Sequence, residues 1–478
     1  MATPAVKVTS IHEVKSAHPL DIPDPYVLGA FDQLGNPPIS INVVWIYKAT
    51  SAAAVPLPRL QRAISRLLDY YPHLTGRLRI SPDDGLRTID RLGTGMHLLE
   101  ATCDAPLEAF AKTSSGHDGI DVFDLPGAGD LLLAPWDPST EGTQNNPVFT
   151  IQRTQFSCSA VAIGMRMSHV VCDAGSFLQL YQHLAEIYRG LGSDACGEVK
   201  LSKPPHFPPL MVDKVLHMDE EERERALVDV PEFFSLVKPD DPGVQWSAGA
   251  MTDPVIGRSM RFSAAGLSGL KARATPPDGS RVSTFSALSA YLWQRTHLAR
   301  LECEKAGLAQ EPSPHSKAAF LTSVEFSSHL GLTENFFGNT IVTPFVEVAS
   351  DELAAVPLWK IAKTVDKVVR SVNKDDVYKV GTWVAAQPDK NAIRFEFPYT
   401  QSTFITSGWH RFPLYEGATL DVAPVFASPT FIATALVDGL VYLLQPKEKD
   451  GGIDIIYSLK SSTWKYLNIT EELKRACT

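Results

Sequence analysis

Residues 165–177 read MRMSHVVCDAGSF. An apolar run ends here in a histidine, His169, with Asp173 four residues on, followed by Ala174 and Gly175. Upstream, in SAVAIGMRMSH (159–169), Val161, Ile163, Met165 and Met167 fall on one face by two-residue alternation, which predicts a strand. His169 keeps that parity and projects from the end of the apolar face. Downstream, in FLQLYQHLAEIYRG (177–190), Phe177, Leu180, Tyr181, Leu184, Ile187 and Tyr188 recur at helical spacing, and Gly190 ends the pattern. The stretch therefore reads as strand, tight turn and helix, with His169 at the joint. A rigid joint of this kind aims a side chain into a cleft. A neutral imidazole, with its reference pKa of about 6.5, takes a proton at neutral pH. As a general base it contributes ~10²–10⁴-fold. Asp173 reads as support for the turn. The β-branched Val170 and Val171 and the pair Ala174-Gly175 oppose the helix that would bring positions i and i+4 together. By itself the H-x-x-x-D pattern is weak, and a satisfied histidine at a strand end fits it as well. A second instance, His117–Asp121, lies in a Gly/Asp-rich stretch and reads as a solvated loop.

The 478 residues exceed one ordinary core and predict two large domains. A net charge of -10 argues against nucleic acid or an anionic membrane as partner. The six cysteines are scattered without a C-x-x-C pair, which argues against a zinc cluster or disulfide framework and for a reducing, cytoplasmic setting. The N-terminal MATPAVKVTS lacks the pattern of a signal peptide. The longest apolar stretch, TFIATALVDGLVYLL (430–444), is broken by Asp438-Gly439 and reads as two strands about a turn.

Leu60, Ile64, Leu67 and Leu68 predict a helix that ends at Pro72, with a strand from GRLRI. Residues 101–148 read as loops with a short helix. Residues 201–255, rich in proline and charge, read as a partly helical crossover between a 1–200 domain and a 256–478 domain. In the second domain, strand and helix follow in GRSMRFSAAGLSGLKARA, a helix begins at Ser283 or Thr284, and VPLWKIAKTVDKVVRSV is an amphipathic helix. Two facing α/β layers result.

Five segments, taken in order, resemble the BAHD acyltransferases, which transfer acyl groups from coenzyme A thioesters to alcohols or amines. They are LLDYYPHLTGRLRI (67–80), SHVVCDAGSF (168–177), STFSALSAYLWQRT (283–296), ENFFGNTIV (334–342) and TSGWHRFPLYEG (406–417). The resemblance implies two similar α/β domains of the chloramphenicol-acetyltransferase-like kind, with a channel between them. It implies His169 as general base midway along the channel, an acyl-CoA co-substrate (acetyl first), a small-molecule alcohol acceptor and no metal; the oligomeric state is open, with a monomer as the default expectation. Ser407 and Trp409 are then candidate donors to a developing oxyanion. Phe337 and Asn339 shape the channel, and Gly175 allows close approach at the turn. Lys271, Arg273, Arg281 and Ser283 meet coenzyme phosphates. His73 is a capping or core residue.

The chain departs from the family pattern in three places, one being the extra Gly408 that lengthens T-S-W to TSGW. GATLDVAP (417–424) replaces the D-F-G-W-G segment, and VEFSSHL (324–330) lacks two arginines usual in plant members. Together these point to a divergent, fungal-type member. A peptide-synthetase condensation domain is an alternative on the same fold, although Ser168 stands where such domains usually carry a histidine. A repurposed enzyme without coenzyme A, or a non-catalytic binding module, is a further alternative.

Overall fold

Alternation in 160–168 becomes the strand Ala160–Ser168, buried along its whole length. It lies inside a six-stranded sheet whose order is Val6–Val14, Met96–Cys103, Phe149–Phe156, Ala160–Ser168, Ser40–Lys48 and Phe426–Pro429. Helices Leu57–Tyr70 and Ala174–Gly190 cover one face, where the Trp45 and Tyr181 rings stack with centroids 3.6 Å apart. The other face is covered by the 126–132 segment. At Gly164 a Cβ would stand 2.1 Å from the Leu132 carbonyl oxygen, so glycine is needed for the close approach. This computed structural model describes residues 6–35, 38–48, 54–111, 119–192, 199–237, 253–308, 317–399, 402–430 and 437–467.

The second six-stranded sheet has the order Val255–Phe262, Ile453–Lys460, Leu440–Leu444, Thr403–Trp409, Lys317–Thr322 and Phe345–Ala349. Helices Thr284–Lys305 and Leu358–Arg370 pack on one face, contributing Leu288, Leu292, Trp293, Ile361 and Val365 to a core with Phe404, Val441 and Tyr457. By strand alternation Ile405, Ser407 and Trp409 turn to the opposite face. Trp409, Leu444 and Ile456 there join the core of the first half.

The protein thus has two sheet-containing α/β domains, but sheet membership departs from chain order at one strand. Phe426–Pro429 leaves the C-terminal half and pairs antiparallel with Ser40–Lys48 of the first sheet. A division at 255/256 puts it in the wrong sheet. The four residues carry too little pattern to show their partner, whose open edge they satisfy. In the crossover, helices Val212–His217 and Glu220–Val228 bury no residue fully. Of the 430–444 stretch, residues 431–436 lie outside the described residues, as does His117 of the second H-x-x-x-D match, and Leu440–Leu444 is a strand.

Candidate active site

The strand Ala160–Ser168 runs into a turn at His169, and Asp173 caps the helix that follows. Asp173 Oδ1 accepts from the Ser176 N–H at 2.9 Å, the N-cap bond expected of an aspartate here. Its Oδ2 accepts from the Thr340 N–H at 2.9 Å and the Thr340 hydroxyl at 2.8 Å. Thr340 belongs to the other half of the chain, so one buried carboxylate closes the helix and clasps the opposite domain. It faces N–H and O–H groups rather than an arginine.

His169 is partly exposed and borders a cavity of about 1050 Å³ between the two halves. Ile39, Ser40 and Asn42 line it from the first sheet, and Ile405, Ser407 and Trp409 from the second. The His169 backbone N–H donates to the Ile39 carbonyl at 3.0 Å, and its carbonyl accepts from Asn339 Nδ2 at 3.2 Å. The imidazole makes no hydrogen bond to a described residue, so its nitrogens are open to a ligand. Opposite, the Trp409 indole N–H donates to Ser407 Oγ at 3.0 Å. That bond uses the only indole donor and polarises the serine, whose own O–H can point into the cavity.

Several sequence-predicted residues take other places. Phe337 does not border the cavity. It is buried edge-on to Tyr71, ring centroids 4.9 Å apart, and its neighbour Phe336 reaches the cavity instead. Adjacent residues of an extended segment face opposite ways, which motif matching does not resolve. Asn339 is buried behind the His169 turn. Gly175 borders the cavity but sits in the first helical turn, where a Cβ would find only ordinary contacts, the nearest at 3.4 Å. It leaves the wall bare there, and no turn geometry demands it. Lys271 and Arg273 lie on the exposed side of helix Ala264–Ala274, whose Leu267, Leu270 and Ala274 face the core. Arg281 is exposed ahead of the next helix, and Ser283 caps that helix through the Ser286 N–H at 2.9 Å. None of these four borders the cavity, and among the described residues no lysine or arginine does. His73 is buried between Tyr26 and Phe207, and burial lowers its pKa to about 3.

Gln179 and Gln182 border the cavity and were not singled out from the sequence. Their signal was there, since both are polar positions outside the apolar stripe of the helix, on the side that carries Gly175 and Leu178. Asp32 and Thr340 left no comparable signal, because their roles depend on residues far away in the chain.

The segment that replaces the family's D-F-G-W-G is firmly held. Asp421 accepts from the Val55 N–H at 2.7 Å, Arg59 at 2.8 Å and the Tyr188 hydroxyl at 2.7 Å. Tyr47 donates to the Ala418 carbonyl at 2.7 Å. No group of three or more His, Cys, Asp or Glu side chains that could hold a metal occurs among the described residues. Nor is any described helix long and apolar enough to cross a membrane.

A family model described as the Transferase family matches residues 5–473. Hydroxycinnamoyltransferase 2 of Oryza sativa subsp. japonica is 26% identical over 409 residues, with 84% of each chain covered. An Avena sativa hydroxycinnamoyl-CoA:5-hydroxyanthranilate N-hydroxycinnamoyltransferase is 26% identical over 420 residues, again with 84% of each covered. Among solved structures, F. graminearum TRI101 complexed with coenzyme A and T-2 mycotoxin superposes with a TM-score of 0.71. It covers 95% of this chain and 99% of that one, and at 16% identity the likeness is one of fold.

Proposed function

The chain belongs to the BAHD family of acyl-CoA-dependent acyltransferases, and from that premise we propose that it moves an acetyl group from acetyl-CoA onto a hydroxyl of a specialised metabolite, with His169 as general base. One observation carries the reading: an imidazole that makes no hydrogen bond among the described residues borders the interdomain cavity, which is also bordered by a serine hydroxyl polarised by an indole N–H. A cavity of about 1050 Å³ exceeds the ~300–1,000 Å³ of most small-molecule sites, which leaves room for an acyl-bearing arm and an acceptor together.

His169 takes the proton from the acceptor hydroxyl as its oxygen closes on the thioester carbonyl. Ser407 donates to the carbonyl oxygen as negative charge grows on it. The imidazolium then returns the proton to the departing sulfur, and the histidine is neutral again. Asp173 takes no proton in this scheme, since N–H and O–H donors already engage both its oxygens. Phe412 and Tyr442 pack edge-to-face on the Trp409 ring, and all three border the cavity on the side of Ser407, which supports a small acyl group. As part of the same proposal the enzyme is a cytoplasmic monomer of fungal type. The unpaired state of Cys103, Cys158, Cys172 and Cys303 supports a reducing compartment.

The test is mass-spectrometric detection of acyl transfer from acetyl-, malonyl- and longer acyl-CoAs into a metabolite extract, with wild type and His169→Ala side by side. Loss of ~10²–10⁴-fold in rate is expected for the variant. Unchanged turnover rejects His169 as base, and turnover only from a carrier-bound donor favours the condensation-domain alternative.

A further inference from the structure

We infer that Asp32 and Asn339 form a buried brace that aims His169, which makes Asp32 a positioning residue for the base. This rests on the reading of His169 given above. Asp32 lies in the short 3-10 turn Asp32–Leu34 of the first half, 6% exposed and away from the cavity. Its Oδ2 accepts from the Gly29 N–H at 3.0 Å. Its Oδ1 accepts from the Asn339 side-chain amide at 2.8 Å and the Asn339 backbone N–H at 3.4 Å. The same Asn339 Nδ2 lies 2.9 Å from the Val170 carbonyl oxygen and 3.2 Å from that of His169.

Chemistry fixes the orientation of that amide. Three oxygens converge on one position, and only a donor can face them. One amide hydrogen serves the carboxylate and the other is shared by the two carbonyls. A flipped amide would set a fourth oxygen against them. Asp32 therefore holds Asn339 in the single orientation that grips the turn. The grip is tight: at Gly35 a Cβ would stand 2.8 Å from the Val170 Cα, so the Asp32 turn packs directly against the turn of the base. The backbone of His169 is thus pinned from both halves, its N–H by Ile39 and its carbonyl by Asn339. Base alignment and docking of residues 338–340 become a single event. A buried carboxylate whose partners are N–H groups carries a desolvation cost that an apolar residue would not. What it supplies here is geometry.

The isotope-labelled ring signal of His169, identified as the one absent from His169→Gln, reports the brace without any acceptor. Asn339→Ala and Asp32→Asn are expected to broaden or split that signal while the other histidine signals stay in place. Thr340→Val, which removes a hydroxyl from the same segment but leaves Asn339 alone, should leave it sharp. Where acceptor turnover is measured, the first two variants should lower kcat by up to ~10²-fold, the scale of a misplaced reacting group, with KM unchanged. Asp32→Asn is the conservative variant, read if Asn339→Ala does not fold. An undisturbed ring in both variants overturns the brace, as does an equal disturbance in Thr340→Val. A disturbance in Asn339→Ala alone overturns the role of Asp32. If His169→Ala keeps its turnover, the assignment of the base falls, and the ring signal still decides whether the brace exists.

Discussion

At the scale of single residues, Ser407 and Trp409 divide one task. The indole N–H of Trp409 is turned to Ser407 Oγ, so the donor left for an oxyanion is the serine hydroxyl. Ser407→Ala should lower kcat by ~10²-fold or more, the scale of a lost oxyanion-hole donor. Trp409→Phe keeps an aromatic ring beside Phe412 and Tyr442 and removes the N–H together with part of the indole bulk. It should cost ~10-fold, as expected for one hydrogen bond acting through a neighbour. Steady-state kinetics on both variants checks the order, and a larger loss in Trp409→Phe would make the indole the direct donor. His169, Ser407 and Trp409 were legible as candidates because each stands in a short motif. Which of the last two faces the reaction was not, since that depends on a bond between two side chains on the same face of one strand.

At the scale of elements, the segment 417–424 illustrates how a lost motif is replaced. Family comparison casts it as eroded, with Asp421 at the place of a tryptophan. The structure shows that carboxylate accepting three hydrogen bonds from two distant elements, the Val55–Arg59 region and the helix Ala174–Gly190. Asp421→Ala should lower stability by about 2–3 kcal/mol, discounted from three charged hydrogen bonds because the side chain is partly exposed. Chemical denaturation measures this, and the denaturant slope should stay constant. The helices Leu57–Tyr70, Ala174–Gly190, Thr284–Lys305 and Leu358–Arg370 were legible from apolar spacing and caps. The strand Phe426–Pro429 was not, because its pairing with Ser40–Lys48 spans most of the chain.

At the scale of the whole molecule, the two halves cannot be separated cleanly. Removing residues 256–478 strips the first sheet of its edge strand and uncovers the apolar Ser40–Lys48. The 1–255 fragment should therefore be insoluble or aggregated when expressed alone. A soluble, cooperatively unfolding fragment would show that the edge strand is dispensable. Acid should also weaken the joint between the halves. His73, whose ring packs near Phe207 and Phe337, has its pKa lowered to about 3 by burial. The unfolded chain binds a proton at this histidine below about pH 6.5 and the folded chain does not until about pH 3. Each pH unit in that window therefore removes about 1.4 kcal/mol of stability. His410, its pKa lowered by burial to about 4, adds a loss in the same direction. His73→Phe should flatten the loss between pH 6.5 and 5, as read from denaturation midpoints at each pH.

Local patterns determined the α/β character, the strand–turn–helix joint at His169 and the family, since alternation, helical spacing and short motifs act through neighbouring residues. Tertiary structure alone decided which side chains face the cavity, that Asn339 and Asp32 stand behind the base, and that a late strand completes the first sheet. Each of these depends on contacts between residues more than a hundred positions apart or on which way adjacent residues turn. Hydrogen-bond geometry settles such contacts only once the chain has closed on itself.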